Sequence, residues 1–358
     1  MRFRDVYLAK AETVPDSGTK IIDIDVSDPI QYILIKYSAT NGSTSNTVGK
    51  INPDIDKIEV VDGADTIFSI TGRLAQALAF FLTGKLPVQE LNQDGGDTVT
   101  EWFLIPFGRN LVDRDLFLDP KKFTNLQLKL THSLTISATA GFASGSGSVS
   151  VIARVIEAGA PAPQGFIMTK EIFSFTTAAS GDQIVDLPLD YPYLSLMVSD
   201  LETGIVCGTD INNIKLSLDF DKVIPFDMAA ADLIALNIQR YGFAIQDIEI
   251  LPDTTFSVNC DTYKYTRAFA GEPGATAKMA ITTVTAEQIA GTMTTGETGD
   301  IHITTMGACP HSCMFIPFGD GKDLGDFLDV KEFKSARLVL TQGGAGGAGK
   351  VVIQQLRK

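Results

Sequence analysis

The chain has 358 residues, 44% of them hydrophobic and 20% charged, a balance that fits about two folded domains and excludes a disordered polymer. Its 29 Lys and Arg against 43 Asp and Glu give a formal charge of −14, which excludes the basic surface that sequence-independent nucleic-acid binding needs. Four cysteines, all in the second half, are too few for a disulfide scaffold, and three histidines leave little for metal-hydrolase or triad chemistry.

The N-terminus, MRFRDVYLAKAE, sets Arg2 and Arg4 among Phe3, Val6, Tyr7 and Leu8. It contains Asp5 and no long apolar core, so it does not read as a secretory signal. Residues 1–19 are expected to form an N-terminal arm that reaches a lipid headgroup or a neighbouring subunit, or else an ordinary first strand. No window approaches 18 consecutive apolar residues, so no membrane-spanning helix is expected. From Lys20 the pattern turns to short strands of period two: Ile22, Ile24 and Val26, later Leu126, Leu128 and Leu130, then Val149, Val151, Ala153 and Val155. One helix interrupts them, with Leu74, Ala77, Leu78, Phe81 and Leu82 on one face and Gly84 at its C-cap. FLDPKKF (117–123) predicts a one- to two-turn helix capped by Asp119. The small and proline-rich stretch 158–165 is the expected linker.

After the linker the chain repeats itself. Ile105-Pro106-Phe107-Gly108 recurs as Ile316-Pro317-Phe318-Gly319, and eight of the fifteen positions 117–131 are identical in 327–341. A Gly-rich turn and a short apolar strand follow in both copies, GFASGSG from Gly141 and GGAGGAG from Gly343. Upstream, Asp23 and Pro29 fall on Asp186 and Pro192, and 55–70 parallels 211–226. The second helix is expected to start from an Asp227 N-cap and to carry Ala230, Leu233, Ile234, Ile238 and Tyr241 on its apolar face, with Gly242 at its end; FLDVKEF would be a short helix capped by Asp329. The repeat, the antiparallel pattern and the helix placement predict an all-β fold of two tandem jelly-roll sandwiches with short helices, the first over 20–157 and the second over 166–358. Between helix and IPFG strand the second copy has 71 residues (243–313) where the first has 18 (85–102). That insertion is expected to carry strands of its own and to project from one end of the second sandwich.

Candidate chemistry is sparse. Cys309, His311 and Cys313, with His302 nearby, are the one cluster with zinc-ligand residue types, against the simpler reading of loop residues with buried thiols. Asp320, Asp323, Asp326 and Asp329, and Asp113, Asp115 and Asp119 in the equivalent stretch, suit calcium, but turn formation and capping explain them more simply. No GxSxG elbow is present, and the strands lack the clustered histidines of a metal-binding cupin. No catalytic residue, metal site or cofactor is assigned, and the chain is expected not to be an enzyme. Trp102 is the aromatic a carbohydrate-binding module would use, which gives the alternative reading of a spike or adhesin. A glycosidase would need a convergent carboxylate pair.

The segments IVDLPLDYPYLSLMV, INNIKLSLDF and the helix ending Gln239-Arg240-Tyr241-Gly242, within two colinear sandwiches, resemble the double jelly-roll major capsid proteins of tailless icosahedral viruses, notably membrane-containing bacteriophages of the corticovirus type. The resemblance implies a homotrimeric, pseudo-hexameric capsomer in the virion capsid. Its implied partners are neighbouring capsomers, minor capsid or penton proteins and, through the N-terminal arm, an internal viral membrane, with no direct contact to nucleic acid.

Overall fold

A computed structural model of the chain describes residues 1–159, 161–250, 255–271, 279–293, 301–319 and 321–358. Where apolar and polar residues alternate, strands form with one face buried. In Leu126–Ser133, Leu126, Leu128 and Leu130 point inward between half-buried Gln127, Lys129 and Thr131. The first half holds β1 (Arg2–Thr13), β2 (Ser17–Asp23), β3 (Ile30–Asn46), the short helix α1 (Ile51–Asp54), β4 (Lys57–Asp62), β5 (Asp65–Ile70), helix α2 (Gly72–Thr83), β6 (Gln89–Asn92), β7 (Thr98–Pro106), β8 (Leu126–Ser133), β9 (Ala140–Phe142) and β10 (Ser148–Ala158). Leaving aside β6 and β9, eight core strands remain. They pair as first–eighth–third–sixth (β1-β10-β3-β7) in one sheet and second–seventh–fourth–fifth (β2-β8-β4-β5) in the other.

The second half holds β11 (Phe166–Thr176), β12 (Gly181–Asp186), β13 (Tyr193–Leu201), β14 (Ile211–Leu218), β15 (Val223–Ala229), helix α3 (Ala230–Tyr241), β16 (Ala244–Ile250), β17 (Thr255–Asn259), β18 (Thr262–Gly271), β19 (Met279–Thr285), β20 (Gln288–Met293), β21 (Ile301–Pro310), β22 (Cys313–Pro317), β23 (Ala336–Gln342) and β24 (Ala348–Arg357). Setting aside β16 to β21, the core strands pair in the same two orders, β11-β24-β13-β22 and β12-β23-β14-β15. The sequence repeat is therefore a repeat of topology as well.

Three expectations need correction. Residues 2–13 do not form a free arm: β1 runs antiparallel to β10 from Arg2–Ala158 to Thr13–Ser148, so its backbone groups are satisfied within the sheet. Nor does the 243–313 insertion simply project from the second sandwich. Its strand β16 pairs in parallel with β6 (Ile248–Leu91, Glu249–Asn92), and β21 and β18 follow, extending the first sandwich's sheet. Ile248, Ile250, Phe256, Val258, Ile289 and Ile303 join the first core rather than the second. An open edge beside β6 next to a buried apolar surface explains the docking. The third correction concerns caps. Asp227 lies inside β15, accepting from Asn213 Nδ2 at 3.0 Å, and α3 starts from Ala229 with no side-chain cap.

Other local features follow expectation more closely. Thr71 Oγ1 accepts from Leu74 N at the start of α2, and Gly84 ends the helix at φ 73°. Asp119 caps a single 3-10 turn over Pro120–Lys122. Its counterpart Asp329 accepts from Lys331 N, but 327–333 forms a hydrogen-bonded turn rather than a helix; the second 3-10 turn lies earlier, at Leu324–Asp326. Helices α2 and α3 meet at an aromatic cluster: Phe81 stacks on Phe315 at 4.9 Å, and Tyr241 packs edge-on against both.

Candidate functional site: the junction between the sandwiches

The two sandwiches are joined by backbone as well as by side chains. The fifth strand of the first, β5, pairs in parallel with the first strand of the second, β11, at Phe68–Thr169 and Ser69–Lys170. One eight-stranded sheet thereby runs through both halves. Around that seam Leu116, Ile167, Phe327 and Leu356 form a small buried apolar cluster drawn from both copies. Leu116 bridges Gly165, and Ile167 N donates to the Phe107 carbonyl at 2.8 Å. Arg357 grips Asp65 with both terminal nitrogens, at 2.8 and 2.6 Å, which holds the Asp65 carboxyl below its usual range. Gly165 sits at φ 142° with the Arg357 carbonyl 2.4 Å from where a Cβ would lie, so only glycine fits this crossing point.

A second seam, between the first sandwich and the insertion, is polar. Glu101, fully buried on β7, accepts from Ile51 N (2.8 Å), Asn52 Nδ2 (2.9 Å) and Gln76 Nε2 (2.8 Å). Close by, Asp261 of the insertion accepts from Lys50 Nζ at 2.8 Å and from Gln89 and Gln246. Burial and the nearby Asp261 charge push the Glu101 carboxyl up, whereas Lys50 and His311 hold the buried Asp261 well below the carboxylate range. His311 completes the network, with Nε2 3.0 Å from Gln76 Oε1 and its backbone N–H on the Asp261 carbonyl. Burial lowers the imidazole to about 4, so it is neutral near pH 7. Charges buried this deeply need compensating partners: Asp261 is paired with Lys50, and Glu101 accepts hydrogen bonds from Ile51, Asn52 and Gln76.

The comparisons bear on the arrangement as a whole. No family model matches the chain, and no curated protein matches it in sequence. Solved structures do match. The crystal structure of the STIV MCP aligns at a TM-score of 0.62 and 13% identity, over 99% of this chain and 96% of that one. The PBCV-1 virus capsid aligns at 0.61 and 10% identity, over 99% and 93%. The major capsid protein P2 from Bacteriophage PM2 aligns at 0.56 and 11% identity, over 100% and 98%. The fold is a double jelly roll. The bacteriophage structure is matched no better than the other two, so the comparison does not single out a phage lineage.

Within the double jelly roll, the residues singled out by sequence fall in separate places. Cys309, His311 and Cys313 surround the tight β21–β22 turn, where Cys309, His311 and Ser312 all have φ between 51° and 55°. That turn splits the cluster. His311 faces Gln76 of α2, while Cys313 Sγ lies 3.5 Å from the His311 carbonyl and Cys309 lies beside Cys207. Burial pushes the Cys207, Cys260 and Cys313 thiols up, away from the thiolate a metal would need. His302 is half-buried on β21, its Nδ1 2.9 Å from Asp247 Oδ2. His132 is buried against Tyr37, its Nδ1 3.1 Å from the phenol oxygen. Among the described residues, no three His, Cys, Asp or Glu side chains converge as a metal site.

The acidic stretches are likewise occupied by protein donors. Asp113 takes Arg109 Nε and Nη2, each at 2.7 Å, and the backbone N–H groups of Arg109, Asp115 and Leu116. Asp115 accepts from the same guanidinium. Asp323 and Asp326 form a reciprocal capping box, and Asp320 lies outside the described residues. Trp102 is half-buried on the outer face of β7, in an apolar groove with Tyr32, Leu34, Val88 and Leu104.

Sequence reasoning missed the Glu101–Asp261 network. One signal was available: Glu101 stands directly against the apolar run Trp102–Pro106 of β7, where a carboxylate needs buried partners.

Proposed function

We propose that this chain is a viral major capsid protein that self-associates as a homotrimer, the six sandwiches of three copies forming a pseudo-hexameric capsomer of an icosahedral virion shell. The observation that carries the reading is the edge-to-edge fusion of two topologically identical jelly rolls, a fold shared over nearly the whole chain with the capsid structures named above. A repeated domain lets one chain contribute two near-equivalent wedges, so that three chains approximate sixfold packing. In this reading the first roll spans 20–157 together with β1, residues 158–165 link the rolls, and the second spans 166–358 around the 243–313 insertion.

The role is geometric, and no catalysis is assigned to the chain. Neighbouring capsomers and minor or penton proteins are the expected partners. Contact with an internal membrane through residues 1–19 would be made by the side chains of an edge strand, since Arg2 and Arg4 already pair with Glu157 and Asp28. The acidic surface gives no support to genome contact. The adhesin alternative is less well supported, because the groove around Trp102 is walled mainly by apolar side chains and offers few partners for sugar hydroxyls. Negative-stain electron microscopy of purified assemblies tests the reading: particles with hexagonal outline support it, and isolated single-chain particles contradict it.

A further inference from the structure

We propose that Asp210 and Glu202, in the loop between β13 and β14, hold a calcium ion against the glycine-rich turn 343–347. Asp210 is 2% exposed, yet its Oδ2 meets no hydrogen-bond donor. A buried carboxylate without a donor is costly, so this position calls for a cation or a proton. The charges that reach it are those of Glu202 and Asp200, both negative, and among the described residues no Lys, Arg or His pairs with it. Asp200 has donors of its own: Ser312 Oγ on Oδ1 at 2.7 Å, and the backbone N–H groups of Gly208 and Ile211 on Oδ2 at 2.8 and 3.4 Å. Asp210 and Glu202 have each other, carboxyl against carboxyl.

The internal repeat supplies a control. Strand register sets Ile58–Leu130 on Ile214–Leu340, so Asp54 and Thr135 of the first roll correspond to Asp210 and Ala345 of the second. Asp54 accepts from Thr135 N at 2.8 Å and from Thr135 Oγ1 at 2.9 Å. Ala345 has no hydroxyl, so the second roll lacks the donor that satisfies the first.

The turn is shaped around the pair. A Cβ added at Gly344 or Gly347 would run into the Asp210 carboxylate, and one at Gly346 would stand 3.0 Å from Glu202 Oε1. Thr177 Oγ1, which accepts from Gly347 N at 2.9 Å, lies beside the same spot and offers a third oxygen. Two carboxylates completed by neutral oxygens and water suit a hard cation, and calcium accepts irregular geometry more readily than magnesium. The ion would tie loop 202–210 to the turn. That loop is also fastened to the insertion, by Gly204 N on Glu287 and Cys207 N on the Tyr263 carbonyl, so calcium would brace the insertion as well.

The test is calorimetric titration of the full chain with calcium chloride after dialysis against a chelator. Wild type is predicted to bind about one ion per chain, with a dissociation constant on the order of 0.1–1 mM, and to bind magnesium about tenfold more weakly. Asp210→Asn is predicted to weaken calcium about tenfold or more. Glu202→Gln, at a half-buried position, should do the same and serves if the first variant does not fold. Asp323→Asn, in an acidic stretch already capped by protein donors, should leave binding unchanged. Calcium should raise the melting temperature of wild type and of neither pair variant. In calcium-free buffer Asp210→Asn should melt no lower than wild type, because it removes a charge without a partner. Calcium binding that survives both pair substitutions, or wild type that neither binds nor is stabilised at millimolar calcium, overturns the site and leaves the two carboxyls sharing a proton.

Discussion

Phe68 and Thr169, both fully buried, stand opposite each other in a parallel ladder only two rungs long, and that ladder is the only backbone pairing between the core strands of the two sandwiches among the described residues. Two rungs contribute on the order of 1 kcal/mol each. Most of the seam's strength must therefore come from the apolar cluster beside it.

Leu116 has no exposed surface and packs with Ile167, Phe327 and Leu356. Leu116→Ala is predicted to cost about 2–4 kcal/mol through lost transfer energy and a residual cavity. Urea titration should show the lowered midpoint, whereas Arg357→Ala, which breaks a partly exposed ion pair, should cost about 1 kcal/mol or less.

His311 makes folding sensitive to acid. Its folded value of about 4 lies below the ordinary 6.5, so the unfolded chain binds the extra proton first. Its contribution is fully present above about pH 6.5 and is lost as pH falls towards 4, a change of order 3 kcal/mol. Asp210, pushed up to about 6 by burial and the neighbouring Glu202, works in the opposite sense, its contribution fading as pH rises through that value. The difference between wild type and His311→Gln isolates the histidine: chemical denaturation at pH 7.5 and 5 should show a smaller acid loss in the variant.

Glu101 accepts three buried hydrogen bonds. Glu101→Ala strands those donors and should destabilise the chain by about 3 kcal/mol. Hydrogen exchange should then rise first in α1 and at the β6–β16 seam, where the network ties the insertion down.

All four cysteines are buried, and no disulfide links them. Native protein should therefore react with a thiol reagent at far below the rate of free cysteine, and four thiols should be titrated after denaturation.

What the sequence revealed, and what it hid, follows from the range of the interactions. The alternation of Leu126, Leu128 and Leu130, the α2 stripe and the repeated IPFG and FLD segments are local or copied features, and they led to the correct sandwiches. The destination of β16 was not legible, because it depends on a free edge at Leu91 and Asn92, more than 150 residues earlier. Asp227 looked like a helix cap on local chemistry, but pairing of Lys215 with Asp227 in the β14–β15 ladder kept it in a strand. His311 and the cysteines, only two residues apart along the chain, were separated by a turn in the left-handed region that their residue types do not announce.

The mass of the purified protein in solution, by size exclusion with light scattering, tests the central claim most directly. The account predicts a species of three times the 38.4 kDa chain; a clean monomer of 38.4 kDa throughout the micromolar range would contradict it.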